Sequence, residues 1–386
     1  MSTTIGLTLE PLDVLFFRDG RPFGAATRGR SDLPQPQTLA GAIWTALLDA
    51  HRCDFPTLAA ALQQGHSLAA ALGKARCPEW IAKLRVRGPW LARTGAEDSS
   101  GGRRFEVLVP VPAVLHRVKA EAEDGAGLLP RLRPLPAGRL PGWHETGNDE
   151  QQELRPLWLT RREATEPLTG FLTPRGLRRF LADEDVPGTE VLAPDELFAF
   201  DHRTGIGIEP DRLSAQTGII YEASFLALKR DLKQRQEVLL YAEVVLPEDS
   251  GAGALVGLQT IPFGGEGRRV RVERVAPWPW HQYERLPRGD QRPLVLLTTP
   301  GFFAGRWKPH RLNASLVAAA VPGALAVSGW DLARGGPKPN RFAAQAGSTY
   351  FLDQPLDPWP GTLSDRPRDQ QQGWGCYLKG VWTACS

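Results

Sequence analysis

The sequence predicts an α+β protein made of many short strands and few helices. Three observations carry this: apolar residues recur at period two in short runs, few stretches keep helical spacing, and 40 glycines and 34 prolines punctuate 386 residues. Glycine and proline together make nearly a fifth of the chain, too dense for a helical bundle or coiled coil. With 42% hydrophobic and 23% charged residues the chain is globular rather than disordered, and its length allows two domains.

Residues 3–9 alternate Ile5, Leu7 and Leu9 with small or polar neighbours, giving a first strand that Pro11 ends. Residues 36–49 form an amphipathic helix: Thr38 is placed to cap it, and Leu39, Ile43 and Leu47 fall four apart. An Ala/Leu-rich helical stretch follows at 56–75, interrupted at Gly65. Leu84-Arg85-Val86-Arg87 alternates as a strand with its basic side toward solvent. It lies in the most basic window of the chain, 74–104, where eight basic residues meet three acidic ones.

Residues 120–153 are rich in Gly, Pro and charge without periodicity, and 183–196 hold six acids and no base. Together they read as a long insertion, about 93–193, in the first domain. Strands return at 206–208, 219–228 and 238–246, and 253–259 reads as a short helix. The glycine-rich run Phe263 to Arg269 then feeds the alternating Val270-Arg271-Val272-Glu273.

Pro277-Trp278-Pro279-Trp280 marks a linker, so the expected domains are 1–276 and 277–386. In the second, 294–298, 324–330, 348–352 and 376–382 are strands and 313–320 is a helix. The order of types in both parts is compatible with β-α-β-β-α-β, helices covering one sheet face. No internal repeat is visible. Trp330, Trp374 and Trp382 are expected in the core or in subunit contacts.

A net charge of +3 gives no bulk attraction to nucleic acid or membrane. No uncharged apolar run reaches about 18 residues, and no basic flank with an apolar run opens the chain, so a cytoplasmic protein without membrane contact is expected. Cys53, Cys77, Cys376 and Cys385 form no Cys-x-x-Cys pair, which fits reduced thiols and no metal. Eight lysines stand against 38 arginines. A GC-rich genome accounts for that total together with the abundant Ala, Gly and Pro, so only clustered arginine counts as evidence.

Asp13 to Phe23, followed by Arg28 and Arg30, sets Phe16 and Phe17 beside Arg18, Gly20 and Arg21. Aromatics with arginine and glycine suit base stacking and phosphate holding; a buried aromatic pair with a solvated turn is the alternative. Gly264-Gly265-Glu266-Gly267, with Arg268 and Arg269, offers bare backbone N–H groups to an anion, or is a plain hairpin turn. It lacks Gly-Lys-Ser/Thr and precedes a strand, so no nucleotide cofactor is expected. His202, in Asp201-His202-Arg203-Thr204-Gly205, has the charged and glycine neighbours of an open site. No nucleophile elbow or His-Glu-x-x-His motif accompanies it.

In order, four pieces resemble one family. They are residues 11–23 with 34–42; 203–208 with 218–221; Gly264 to Arg268; and Ser328-Gly329-Trp330-Asp331-Leu332 through Pro337-Lys338-Pro339 to 346–350. The set resembles the Cmr RAMP subunit that caps the crRNA 5′ end in type III-B CRISPR effector complexes. That resemblance implies two ferredoxin-like domains of the RNA-recognition type. It implies RNA contacts at Phe17, Arg18, Arg21, Arg28, Arg30, His202, Arg203, Gly264, Gly265, Gly267, Arg268, Arg269 and Lys338. The implied partners are crRNA, a large polymerase-like subunit, a backbone RAMP subunit and, indirectly, target RNA. The implied role is non-catalytic, gripping the 5′ repeat-derived handle. The rival readings are a metal-independent endoribonuclease using His202, and a carbohydrate-binding or purely structural module using its tryptophans. Residues 93–193 match no motif of the family.

Overall fold

The structure is a computed structural model. It describes residues 2–17, 28–29, 32–97, 103–119, 127–136, 154–209, 211–212, 214–231, 236–251, 253–255, 257–331 and 336–384. It is a mixed protein of antiparallel sheets and few helices. Two compact units form, neither continuous in sequence: Met1–Pro89, Leu197–Pro277 and Ala326–Phe342 make the first, and Trp90–Glu196, Trp278–Leu325 and Ala343–Ser386 the second. This grouping differs from the expected 1–276 and 277–386. The described residues of 93–193, expected as an insertion in the first domain, group with the C-terminal segments.

In the first unit the strand Thr3–Pro11 runs antiparallel between Gln236–Leu246 and Arg269–Val275, with Thr260–Pro262 beyond. Leu7 and Leu9 are buried, as is Thr8 between them, so the strand is covered on both faces. Gly6 is required there, because a Cβ would stand 2.7 Å from the Ala276 carbonyl oxygen. Pro11 is the last residue of the strand, opposite Val270. The strand from Arg85 does not leave Arg87 facing solvent alone: its guanidinium bonds the buried Glu243 carboxylate at 2.8 Å.

The helix Pro36–Ala50 buries Leu39, Ala40, Ile43 and Leu47, the expected stripe. Its cap position is Gln35, not Thr38; Pro36 opens the helix with a preset φ and no N–H to satisfy. The next helical stretch divides into Phe55–Gln63 and Leu68–Lys74, capped by Asp54 and Ser67 and separated by Gly65 at φ +84°. Hydrogen bonds from Thr57 hold the Asp54 carboxyl below its ordinary value. The return of these helices brings Cys53 to Cys77, Cα atoms 5.3 Å apart, within reach of a disulfide. The reading of reduced thiols rested on spacing alone and did not foresee this pairing. Cys376 is buried and free.

The stretch 253–259 is a turn, not a helix. Gly251 and Gly257 sit at φ +72° and +91°, outside helical space, while Leu255 and Leu258 are buried. The unit's second sheet pairs Phe198–Ile208 antiparallel with Ala215–Leu228, and Arg28–Gly29 lies parallel beside Glu222 and Ala223.

The second unit holds Leu316–Ala320, Thr349–Leu352, Arg292–Leu297 and Tyr377–Trp382 in that sheet order, all antiparallel. Residues 313–320, expected as helix, are a short turn and then a strand. An alanine-rich run this short takes its form from its partner, and Leu316 to Ala318 are buried against Thr349–Leu352. Trp374 and Trp382 are core residues, as expected; the Trp330 side chain lies outside the described residues. Arg103–Pro110 pairs with the end of Arg85–Glu97 and with Phe171–Leu172, and Pro174–Leu181 is the unit's main helix. Among the described residues no helix is long and apolar enough to cross a membrane.

Candidate functional site

Three segments of distant sequence meet at the ring of Phe225 in the first unit. Register sets Asp201 opposite Phe225 and Arg203 opposite Ala223. Alternation then puts Asp201, Arg203 and Phe225 on one face. Arg203 lies over the Phe225 ring, 4.9 Å from its centroid, and donates to the Asp201 carboxylate at 2.7 and 2.9 Å.

Leu15 and Leu226 exchange backbone hydrogen bonds of 2.8 and 2.7 Å, which fixes Phe16 beside Phe225 at 5.2 Å between ring centroids. The glycine loop joins from the other side. The Gly265 N–H donates to the Phe16 carbonyl at 2.8 Å, Leu12 to the Arg269 carbonyl at 3.2 Å, and Phe263 to the Arg268 carbonyl at 2.8 Å. Arg268 is thereby held over the same ring, also at 4.9 Å, and donates to Asp13 at 2.5 Å. Among the described residues its buried Nε meets no hydrogen-bond acceptor.

Two guanidinium groups therefore stack on one buried phenylalanine, each tied to a carboxylate that is itself open to water: 43% exposed for Asp201 and 60% for Asp13. Stacked arginine keeps its outer edge for phosphate oxygens and its plane for a base. The carboxylates balance both charges, and such exposed pairs are weak enough for a phosphate to replace one partner. Arg269 adds a third, exposed cation, braced by donation to the Thr260 carbonyl at 3.0 Å.

The loop's glycines differ in role. A Cβ on Gly264 would meet the Phe16 carbonyl oxygen at 2.4 Å and the Phe17 ring at 3.0 Å; on Gly265 it would meet the Phe16 ring. Both are demanded by close packing, and the Gly265 N–H is already used. Gly267, at φ +65°, faces open space. Phe17 is buried edge-on against Phe263 at 5.0 Å, so it supports the loop and does not offer its ring to a base.

The remaining expected residues fall elsewhere. Arg18, Arg21 and Arg30 lie outside the described residues. Arg28 is described by its backbone, on the strand beside Glu222, with the strand Ala215–Leu228 between it and the strand of Arg203. His202 points to the other face of its strand, opposite Ser224, and is exposed. Lys338 closes the turn after Gly329, donating to its carbonyl at 2.7 Å, next to the helix start where Gln37 donates to Ser328. Phe225, the centre of the site, figures in the sequence only as an apolar strand position. Its signal was the alternation of 219–228 against that of 201–203. Among the described residues no three His, Cys, Asp or Glu side chains group to hold a metal.

The family described as CRISPR-associated protein (Cas_Cmr3) matches residues 7–382. Chains from two cryo-EM structures are similar to this one. One is of the Type III-B Cmr-beta bound to cognate target RNA, at 15% identity, covering 90% of this chain and 86% of that chain, with a TM-score of 0.48. The other, Cmr-beta bound to cognate target RNA and AMPPnP, has the same identity and coverage with a TM-score of 0.47. No curated protein matches the sequence.

Proposed function

Because the chain belongs to the Cas_Cmr3 family of CRISPR-associated proteins, we propose that it is a non-catalytic RNA-binding subunit of a type III-B CRISPR effector complex. It grips the 5′ repeat-derived handle of crRNA and docks a large polymerase-like subunit to the RAMP backbone. The observation that supports this is the meeting of Arg203, Arg268 and the Asp13–Phe17 segment on Phe225. Arginines stacked on an aromatic beside an exposed cation suit a single strand, whose phosphates and splayed bases need both edge and plane. The family resemblance alone adds Arg18, Arg21 and Arg28 to the proposed RNA contacts.

Near-neutral net charge makes the grip local rather than global. Four neutralised phosphates would give roughly fiftyfold weaker binding between 50 and 200 mM salt. The test is handle RNA titrated onto the full chain and onto an Arg203→Gln/Arg268→Gln variant. We expect about a hundredfold loss at unchanged folding, on the strength of two charge-assisted contacts, and a flatter salt dependence. Wild-type affinity in the folded double variant moves the site elsewhere. Specific cleavage of repeat RNA that disappears in His202→Ala would replace this reading with the endoribonuclease.

A further inference from the structure

The second unit carries a cationic loop that the first unit's site does not use. No Asp or Glu occurs from residue 291 to residue 330, while Arg306, Lys308, His310 and Arg311 cluster around Trp307. Trp307 is 37% exposed, and Arg306, His310 and Arg311 are exposed with it. Five tryptophans among the described residues are core residues, so one left open among cations calls for a reason.

The loop is built rather than loose. Bridges join Phe303 to Arg306 and Gly305 to Lys308, and Tyr350 donates its hydroxyl to the Trp307 carbonyl at 2.7 Å. Phe303, Pro309 and Leu312 anchor its base in the core. Arg306 holds φ +65°, in the left-handed region that glycine adopts more readily. The Asp365 carboxylate accepts the Ala304 N–H at 2.6 Å at the loop's foot.

We infer that this loop is a second single-stranded RNA contact, with a base stacked on Trp307 and flanking phosphates held by Arg306, Lys308 and Arg311. An exposed indole between cations is the arrangement that grips a strand without reading its sequence. An acidic protein surface would use the cations but gain little from the indole.

The full chain, incubated with a 4-thiouridine-substituted U12 RNA and irradiated, should crosslink through the peptide holding Trp307. In fluorescence titration with U12, Trp307→Ala should cost about tenfold in affinity, with Trp307→Phe restoring most of it. Arg306→Gly/Lys308→Gln/Arg311→Gln should lower the salt slope by about 2; glycine suits the backbone at 306, which protects folding.

Crosslinks confined to the first unit, or folded loop variants that bind U12 as wild type, overturn the inference. So does a loss equal for a 12-base-pair RNA duplex, or a loss that Trp307→Phe does not rescue. The inference does not rest on the Phe225 site: the Arg203→Gln/Arg268→Gln variant should keep the Trp307 crosslink, so either reading can fail alone.

Discussion

Two arginine clusters, one in each unit, use the same side chain for different ends. In the second unit Arg131 and Arg133 converge on Asp183, at 2.6 and 2.7 Å. The Arg131 and Asp183 side chains are only 8% and 6% exposed. Asp183 also accepts from the Thr383 N–H and hydroxyl, and Arg131 from its side donates to the Glu184 carbonyl and lies over the Phe180 ring. Burial pulls the Arg131 guanidinium down to about 10 against the pull of Asp183, which leaves it charged at neutral pH. Among the described residues every partner of Arg131 and Asp183 is internal, and their burial leaves little edge for a ligand. At Phe225 the arginines stack on a buried ring but pair with carboxylates in water. The partner's exposure, rather than the arginine's own pairing, separates a staple from a binding group.

The comparison breaks first at Asp183. Asp183→Asn keeps the size and suits the left-handed backbone at φ +63°, but leaves Arg131 buried beside a neutral amide. A loss of about 3–5 kcal/mol in urea unfolding is expected, with RNA affinity unchanged once the variant is folded. Equal destabilisation by Arg203→Gln/Arg268→Gln, where about 1 kcal/mol or less is expected, would make the Phe225 cluster a staple too.

The glycine loop offers the next test within one turn. Gly264→Ala drives a Cβ into the Phe16 carbonyl at a backbone angle alanine avoids, and about 2–3 kcal/mol should be lost. Gly267→Ala meets nothing and costs only the left-handed backbone, about 1 kcal/mol. Similar losses at both positions would mean that the loop does not rest on Phe16 as described.

Much of this was legible in the sequence, for local reasons. The strand 3–9 shows because period two needs no partner to be seen, 238–246 because a short Val/Leu-rich run reads as a buried strand, and Gly65 breaks a helical run by its own backbone freedom. The Arg203 and Arg268 segments were also visible as clustered charge beside glycine. What stayed hidden depends on pairing across long separations. Phe225 becomes a centre only when Leu15 bonds Leu226 and Gly265 bonds Phe16. Cys53 meets Cys77 only when two helices fold back, and 93–193 reads as an insertion until Ala113 bonds Gly347 and Arg155 bonds Val317. An alanine-rich run such as 316–320 carries no preference strong enough to show that a neighbour will make it a strand.

The smallest effect sharpens the comparison most. If Asp13 and Asp201 are counter-ions that a phosphate displaces, then removing their charge removes a competitor. Asp13→Asn/Asp201→Asn should therefore bind handle RNA about threefold tighter at low salt, with stability changed by less than about 1 kcal/mol because both pairs face water. If they instead hold the guanidiniums in place over Phe225, the same variant should bind more weakly. The sign is what matters. At Asp183 the equivalent change can only do harm, since nothing from outside can take the carboxylate's place.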